Sequence, residues 1–450
     1  MNNLSRRHFL QYGGGLAAAA IISQTEIPAF ALAPAETVRD RFWMMGHTEG
    51  AFDNQWGLPV SSRITPLQGA EYLGIPNILM VRYGGNPAMP FDDYAKQYAN
   101  TKKLMWSLVG AGGDTSREEQ DHVLELAKKM PNLTALFMDD FFHDGEISQY
   151  QHHAEKLWLA ANKPKFPVIL SLHFPVPAVA DEIELVQSDW RTGDYRGSDV
   201  AVDVLTDGNW NEVAGGTLEN RGKAVTMLKL PNNPVDGVRI RFFGTYDTTE
   251  AQSVGLSGLR LLKDHQEVKI AGVRIESTST ASPIHEPSAL LKSLIPLEDF
   301  EPPASCSLAD LRELRKKLTL SEGRKLDLAV SLGVSQLDPA IGRHLDLCDV
   351  IALWSATTDE LADLKVSFAK YRQLAPKQRT LLGVSMWDFG SRKPLPMDLM
   401  RKQCETGLQW LREGRIEGMI FHASNICNMK IEAVEYAKQW IAEHGDEPVS

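Results

Sequence analysis

Apolar runs of strand length alternate with amphipathic segments of helix length along most of this sequence. Four such pairs lie before residue 165 and four lie after residue 284. The apolar runs are, in chain order, FWMMGH, NILMVRYGG, KLMWSLVGAGG, LTALFMDDFF, RKLDLAVSLGVSQL, CDVIALWSA, RTLLGVSMWDFG and IEGMIFHASN. Near-continuous apolar strands separated by helices are typical of a parallel sheet that is covered on both faces. The alternation therefore predicts an α/β protein built on parallel strands.

The number of repeats separates the two common parallel architectures. Eight strand–helix units favour a closed (β/α)8 TIM barrel, whereas an open doubly wound sheet has about six strands and a glycine-rich phosphate turn. The turn GAGGD, residues 110–114, lacks the spacing of such a phosphate turn. We therefore expect barrel strands 1–4 within residues 37–165 and barrel strands 5–8 within residues 284–445. A helix is expected over 147–162, after the fourth strand.

Residues 166–283 interrupt this alternation. They contain short alternating strands bounded by Gly, Asn, Asp and Pro, with little helical period. Several short strands at such spacing are typical of an antiparallel β-sandwich, so we expect a sandwich inserted between barrel strands 4 and 5. The stretch LTDGNW, followed by VDGVRIRFFGTY, resembles the discoidin-type and carbohydrate-binding sandwiches. The resemblance implies an architecture, and both a sugar-contacting role and a role as a lid over the cleft stay open.

The first 33 residues have the pattern of an export signal. The stretch SRRHFLQ is followed by a weakly apolar segment, GGGLAAAAII, and then by AFALA, which fits a small-x-small cleavage site. This pattern resembles a twin-arginine signal peptide, with Arg6 and Arg7 as the paired arginines. The resemblance implies a bacterial chain that folds in the cytoplasm, engages the twin-arginine translocation machinery and works in the periplasm or outside the cell.

Charge and composition restrict the partners of the remaining chain. The formal net charge is −11 and the pI is near 5.6, which argues against nucleic acid or anionic lipid and favours a neutral or cationic ligand. No other stretch reaches the ~18 uninterrupted apolar residues of a membrane span, so we expect no stable membrane insertion. The four cysteines are widely spaced and form no C-x-x-C pair, which disfavours a zinc cluster. Disulfides and buried thiols both stay open.

Polar and aromatic residues recur where the apolar runs end. The C-terminal ends of parallel barrel strands form the mouth where ligands bind, so these residues are candidates for one common site. They are His47, Glu49, Arg82, Tyr83, Trp106, Asp114, Asp139, Asp140, Gln336, Asp338, Trp354, Trp387, Asp388, His422 and Asn425. Carboxylates and several tryptophans are therefore expected around one mouth.

This inventory fits the cleavage of a glycosidic bond. The reaction needs one protonated carboxylic acid for the leaving oxygen and a second carboxylate across the sugar ring. The set resembles the glycoside-hydrolase barrels, many of which carry catalytic acids after strands 4 and 7, and this implies Asp139 or Asp140 together with Asp388. The Asn-Glu pair that is common after strand 4 is missing, as is a glutamate after strand 7, so no particular family is matched. Acids after strands 4 and 6 are disfavoured, because Asp359 and Glu360 look like a helix N-terminus.

Strand parity assigns roles within the acid pair. Adjacent residues of a strand point to opposite faces, so only one of Asp139 and Asp140 can point into the barrel. If Leu136 and Met138 fill the interior, Asp140 points inward, and we expect it to be the general acid with Asp388 as base or nucleophile. Asp139 and Glu49 are the remaining catalytic candidates. The residues expected to bind substrate are His47, Arg82, Tyr83, Trp106, Trp354, Trp387, His422 and Asn425.

Other interpretations stay open for the same residues. The acid pair can cap a helix or pair with Arg82, Asp388 can begin a turn before GSRKP, and the tryptophans can be core residues. No cofactor is expected for a glycosidase. His47, Glu49, His422 and the acid pair also suit a divalent metal, which would make the chain a metal-dependent lyase, hydrolase or isomerase. A barrel that kept its cleft without catalysis would be a sugar-binding protein.

Overall fold

The computed structural model describes residues 36–142, 157–190, 195–281, 285–297, 299–302, 304–320 and 323–449. The predicted signal peptide lies outside the described residues. The described residues belong to one compact unit, which begins at Glu36. None of the helices in the described ranges has the length and apolar character needed to cross a membrane.

Four parallel strands and three α-helices lie in the first part of the described chain. The strands are β1 (Phe42–Gly46), β2 (Asn77–Met80), β3 (Lys103–Val109) and β4 (Leu133–Met138). The helices between them are α1 (Pro66–Leu73), α2 (Asp92–Ala95) and α3 (Arg117–Lys129). Thr65 and Ser116 cap α1 and α3, because each side chain accepts a hydrogen bond of 3.1 Å from a backbone N–H in the first turn.

The strands of two antiparallel sheets follow β4 in the chain. They are β5 (Trp158–Leu159), β6 (Val168–Ala178), β7 (Glu182–Gln187), β8 (Asp199–Thr206), β9 (Asn209–Thr217), β10 (Val225–Lys229), β11 (Val235–Phe242), β12 (Gly255–Lys263), β13 (Gln266–Glu267) and β14 (Arg274–Ser277). One sheet has the order β10-β7-β12-β13, with β5 also paired to β12, and the other has the order β14-β6-β11-β8-β9. Apolar side chains from both sheets, such as Leu170, Ile240 and Leu259, share one core.

The prediction of a helix over 147–162 is wrong for residues 157–162, which are the part of that range that the structure describes. Residues 143–156 lie outside the described ranges, and Trp158–Leu159 forms β5. The Trp158 ring is fully buried and packs on Phe242, with 5.6 Å between ring centroids. Leu157 and Leu159 are buried in a second cluster. Neighbouring residues that point to opposite faces of the strand are thus both buried. The segment therefore lacks the alternation of apolar and polar residues that would identify a strand in sequence.

The chain then returns to parallel strands. After α4 (Leu308–Lys316) come β15 (Asp327–Gly333), α5 (Gly342–Leu345), β16 (Val350–Trp354), α6 (Thr358–Ala362), α7 (Leu364–Leu374), β17 (Arg379–Ser385), α8 (Met397–Arg412), β18 (Gly418–His422) and α9 (Glu432–His444). The parallel strands close into a barrel in the order β1-β18-β17-β16-β15-β4-β3-β2. The predicted closed parallel barrel and the predicted antiparallel sheets are confirmed.

The barrel strands bury side chains on both of their faces. One cluster takes residues from all eight strands and is the barrel interior, and its members include Trp43, Met45, Leu79, Met105, Ala135, Phe137, Ala329, Val350, Ala352, Leu381 and Ile420. The alternate residues, among them Leu136 and Met138, pack with helix residues in a larger cluster around the barrel. The premise that Leu136 and Met138 fill the interior is therefore wrong. Strand parity instead makes Asp139 the next inward residue of β4.

Candidate functional site

A cavity of about 390 Å³ lies at the C-terminal ends of the barrel strands. Aromatic side chains form much of its wall, namely Phe52, Trp56, Tyr83, Trp354 and Phe389. The polar side chains that line it include His47, Asp139, Asp140, Ser331, Ser335, Gln336, Ser355, Thr357, Glu360, Ser385 and His422. The structure therefore brings together seven of the fifteen candidates at the strand ends, which are His47, Tyr83, Asp139, Asp140, Gln336, Trp354 and His422.

Asp139 and Asp140 have different environments at the end of β4. Asp139 is only 6% exposed, and its backbone N–H donates to the Val109 carbonyl oxygen at 3.0 Å. Asp140 is exposed and has a φ of 42°, so the regular strand has ended there. The Asp140 Oδ2 accepts a hydrogen bond of 2.8 Å from the Gly112 backbone N–H. The structure thus corrects the expected orientation, because Asp139 is the buried, inward carboxyl.

The protonation of Asp139 follows from this position. Burial raises the pKa of the Asp139 carboxyl well above its ordinary value, and the negative charge of Asp140 raises it further. Hydrogen bonds from the Asp140 backbone N–H and the Ser331 hydroxyl act in the opposite direction. A carboxyl with a raised pKa keeps its proton under conditions in which most aspartates are ionised. Asp139 therefore has the protonation that a general acid requires.

Glu360 is a third acid in the cavity and follows β16. Its Oε2 accepts hydrogen bonds from the backbone N–H groups of Ala356 and Thr357, and its own N–H donates to the Thr357 hydroxyl at 3.3 Å. The reciprocal contact with Thr357 is a capping box at the start of α6, as expected for a helix N-terminus. Burial raises the pKa of Glu360, and the two backbone hydrogen bonds partly offset this. Glu360 thus combines helix capping with a place in the cavity wall.

His47 and His422 are neutral imidazoles in the same wall. Their ring centroids are 6.0 Å apart. The His47 Nδ1 lies 3.0 Å from the Val81 carbonyl oxygen, so Nδ1–H donates and Nε2 is left as an acceptor. Burial lowers the pKa of His47 to about 4. Burial, together with the charge of His47, lowers the pKa of His422 to about 3. Both rings are therefore uncharged at neutral pH.

Four polar atoms of the cavity wall have no hydrogen-bond partner within the described residues. They are Nε1 of Trp56, Nε1 of Trp354, Oγ of Ser355 and Nε2 of His422. Buried polar groups are normally paired, because an unpaired one costs about 1–3 kcal/mol. The set contains two indole donors, one hydroxyl, and one imidazole nitrogen that donates or accepts according to its tautomer. It suits a ligand that carries both donors and acceptors, such as a ring bearing several hydroxyl groups.

Glu49 lines a separate depression of about 560 Å³ beside the cavity. Thr48, Asn86 and Tyr94 also line this depression, and the Tyr94 hydroxyl donates to the Glu49 Oε2 at 3.3 Å. Tyr83 lines both spaces. The structure therefore corrects the expectation that Glu49 shares a cavity with the two aspartates.

Arg82 and Trp106 lie outside the cavity. Arg82 forms a largely buried ion pair with Glu119 of α3, and its guanidinium lies over the Phe91 ring at 4.9 Å from the centroid. Trp106 is fully buried against the same Phe91, with 5.6 Å between ring centroids. Because Met105 points into the barrel, Trp106 points outward toward the helices. Trp106 thus belongs to the packed barrel wall, which corrects its assignment as a substrate-binding residue. Arg82 lines a separate depression of about 220 Å³ together with Asp114 and Glu119, so it does not share the cavity.

Asp388 begins a turn and does not line the cavity. Its backbone pairs with Lys393 in an isolated bridge, and its Oδ1 accepts a hydrogen bond of 2.8 Å from the Ser391 backbone N–H. The side chain is buried. Of the two interpretations of Asp388, the structure supports the turn before GSRKP and corrects the expected pairing with Asp140 across the mouth.

Trp387 and Asn425 hold the loops that carry cavity residues. The Trp387 Nε1–H donates to the Trp56 carbonyl oxygen at 2.9 Å. The Asn425 Oδ1 accepts from the His47 backbone N–H at 3.3 Å, and its Nδ2 donates to the Thr48 carbonyl oxygen at 3.0 Å. Neither side chain lines the cavity, so the expectation of direct contact with a ligand is corrected for both. They position Trp56 and His47 instead.

Of the five residues of the metal alternative, four line the cavity, namely His47, His422, Asp139 and Asp140. His47 and His422 are neighbours, but Glu49 lines the separate depression. In the part of the chain that the structure describes, no group of three or more His, Cys, Asp or Glu side chains is arranged to hold a metal ion. The donor set present in the cavity therefore does not fit the divalent metal considered for this sequence.

Several cavity residues were missed by sequence reasoning. Phe52 and Trp56 lie in the loop AFDNQWG after β1, and Phe389 follows Asp388. Large aromatics in a polar loop with no core to fill are a signal that could have identified them. Ser331 follows the inward Ala329 at strand spacing, so it could be found only after the inward parity of β15 was known.

No protein-family model matches this chain, and no curated protein matches it. Solved structures similar to parts of it include the CBM32-3 domain of a family 31 glycoside hydrolase from Clostridium perfringens, with 14% identity, a TM-score of 0.22 and coverage of 27% of this chain and 84% of that one. The family 32 CBM of C. perfringens NanJ, in complex with galactose, has 12% identity and a TM-score of 0.22. The match covers 27% of this chain and 88% of that one. A putative chitobiase fragment from Bacteroides thetaiotaomicron has 16% identity, a TM-score of 0.21 and coverage of 27% and 78%. Each match covers about a quarter of this chain, and its ligand and activity are properties of the matched protein.

Proposed function

We propose that this chain is a carbohydrate-active enzyme that cleaves a glycosidic bond in the cavity at the barrel mouth. One observation carries the proposal: a single cavity combines an aromatic wall, four polar atoms that lack partners within the described residues, and a buried carboxyl whose pKa is raised. The aromatic faces suit the C–H faces of a sugar ring, and the polar atoms suit its hydroxyl groups.

The charge of the wall narrows the sugar class. Asp139, Asp140 and Glu360 line the cavity, and its lining within the described residues includes no lysine or arginine. A uronic acid or sulfated sugar would meet like charge without a counter-ion, which is unfavourable in a partly desolvated site. The cavity therefore suits a neutral or amino sugar.

The proposed chemistry uses one carboxyl directly after β4 and one from the segment after β16. Asp139 gives its proton to the leaving glycosidic oxygen as that bond breaks. Glu360 acts in its ionised form, which the N–H groups of Ala356 and Thr357 stabilise and orient. It either attacks the anomeric carbon, giving a glycosyl–enzyme that water then hydrolyses with Asp139 as the base, or removes a proton from the attacking water. The distance between the two carboxyl groups in the substrate complex decides between these routes. Asp139 and Glu360 thus replace the expected pair of Asp140 and Asp388.

Turnover on a panel of aryl glycosides and oligosaccharides of neutral and amino sugars tests the proposal. Asp139→Asn and Glu360→Gln should each lower kcat/KM by about 10² or more, because general acid and base catalysis contributes on that scale. Asp359→Asn is the matched control, since Asp359 is the exposed acid next to Glu360 in the same helical turn. Wild-type inactivity on the whole panel would count against the proposal, as would full activity of Asp139→Asn.

A non-catalytic sugar-binding protein is the second candidate function. The observation that favours it is the capping box, because Glu360 already has a structural role at α6. If the cavity only binds, calorimetry will detect a sugar that the wild-type chain never cleaves. In that case Glu360→Gln will lower stability, and Asp139→Asn will leave affinity nearly unchanged.

We also propose that the chain is exported by the twin-arginine route and works in the periplasm or outside the cell. The support is the sequence pattern of residues 1–33. A carbohydrate-active enzyme in that location would meet polymeric or oligomeric sugars from the surroundings.

A further inference from the structure

We propose that the site takes at least two linked sugar units, and that the depression lined by Glu49 and Asn86 holds the second unit. This inference rests on the proposed function, because it assigns the length of the substrate for the same site. The cavity at the barrel mouth would hold the unit next to Asp139.

The two spaces share a wall. Tyr83 lines the cavity of about 390 Å³ and also the depression of about 560 Å³. The loop after β1 contributes to both sides, since His47 and Phe52 line the cavity while Thr48 and Ala51 line the depression. The cavity and the depression are therefore neighbours on either side of Tyr83, and in this proposal the linked sugar units pass over that residue.

The shared wall is held in place by several contacts. The Tyr83 hydroxyl donates to the Gln55 Oε1 at 2.6 Å, and the Tyr83 ring lies 5.4 Å from the His47 ring and 6.0 Å from the Phe52 ring, centroid to centroid. The backbone groups of Tyr83 and Asn86 pair with each other through two hydrogen bonds of 3.0 Å. Tyr83 is thus a fixed divider between two binding spaces.

The depression has the chemistry of a subsite for a hydroxylated or amino group. The Tyr94 hydroxyl donates to one Glu49 oxygen at 3.3 Å, which orients the carboxylate. Burial raises the pKa of Tyr94 to about 12, so this hydroxyl keeps its proton and remains a donor. The described lining of the depression includes no lysine or arginine. The second unit should therefore also be neutral or basic.

Affinity as a function of chain length tests the inference. The Asp139→Asn chain, which should bind without cleaving, is titrated with mono-, di- and trisaccharides of glucan, mannan, xylan, galactan and chitin type. For the series that binds, the disaccharide should bind roughly tenfold more tightly than the monosaccharide, as expected for one added charged hydrogen bond and ring contact. Adding Glu49→Gln should bring the ratio of these affinities close to 1, whereas Glu71→Gln, at an exposed acid of α1, should leave the ratio unchanged.

Two results would contradict the inference alone. Equal affinity for monosaccharide and disaccharide would show that the depression contributes nothing. An equal loss for both sugars in the Glu49→Gln chain would show that Glu49 acts on the first unit. Failure of every sugar in every series to bind would instead overturn the proposed function, and the two-unit assignment with it.

Discussion

Asp139 and Asp140 are adjacent in sequence, and the charge of one controls the proton of the other. Asp140 is exposed, while Asp139 is buried beside it. Burial is the largest cause of the raised pKa of Asp139, and the negative charge of Asp140 is the second largest. A neighbour that does no chemistry can therefore set the pH range in which the proposed acid works.

Asp140→Asn is expected to shift the pH profile without abolishing activity. Removing the negative charge should lower the pKa of Asp139, so the alkaline limb of kcat/KM, where the acid loses its proton, should move to lower pH. The measurement is kcat/KM against pH for the wild type and the variant. An unmoved or upward-shifted limb would contradict the assignment of Asp139 as the acid, as would loss of activity at every pH.

The buried histidines should make stability fall in mild acid. An unfolded histidine has a pKa of about 6.5, whereas burial lowers the pKa of His47 to about 4. Between these values the unfolded chain takes up a proton that the native chain does not, so the free energy of unfolding decreases as the pH falls from 6.5 toward 4. For His47 this amounts to about 2 kcal/mol at pH 5.

Denaturant titrations at pH 7 and pH 5 measure this effect. The wild type should lose about 2 kcal/mol more than His47→Gln between the two pH values. His265→Gln is the control, because the His265 side chain is 86% exposed. If the free energy of unfolding of His47→Gln and of the wild type falls by the same amount between pH 7 and pH 5, the lowered pKa of His47 is not the cause of the acid sensitivity.

At the scale of elements, the two faces of the barrel strands give tryptophans opposite roles. Trp106 of β3 packs outward on Phe91, whereas Trp354 of β16 lines the cavity. Gly383 of the neighbouring β17 makes room for the Trp354 ring, since a Cβ at that position would collide with it. One tryptophan therefore belongs to the core and the other to the site.

Phenylalanine at each position should separate these roles. Trp106→Phe should lower the free energy of unfolding by about 1–3 kcal/mol with little change in KM, because it leaves a gap in the packed layer. Trp354→Phe should raise KM or Kd several-fold with a smaller change in stability. Unfolding curves and sugar titrations on both variants decide the matter, and a reversed pattern would contradict the two placements.

Sequence patterns predicted the barrel strands well but not which of their side chains face inward. All eight apolar runs contain a barrel strand. In β4, however, residues on both faces are buried, so no polar alternation marks the interior side and the parity of Asp139 and Asp140 could not be read from hydrophobicity. The placement of Asp388 depends on the bridge to Lys393, which is a local backbone geometry that residue types do not specify.

At the scale of the whole molecule, the export proposal makes a direct prediction. Replacing Arg6 and Arg7 together with lysine should leave the precursor in the cytoplasm, because the paired arginines are the feature that the twin-arginine pattern requires. Fractionation of cells that express the wild type and the double variant measures it. A chain with both Lys102→Arg and Lys103→Arg, in the mature region, is the control. It shows whether exchanges between lysine and arginine change fractionation for reasons unrelated to the signal. Normal export of the Arg6/Arg7 variant would rule out this route.

The chain order of the barrel has a consequence for how the protein is made. β4 pairs with β15 although ten strands of the antiparallel sheets lie between them in the described chain, and β1 pairs with β18 near the other end. During synthesis β1–β4 therefore leave the ribosome as half a barrel, and the outer edges of β1 and β4 stay unpaired until β18 and β15 have been made. Unpaired strand edges favour aggregation. Pairings between such distant segments form slowly. Under the proposed twin-arginine export, in which the chain folds before it crosses the membrane, the barrel has to close before the protein leaves the cytoplasm.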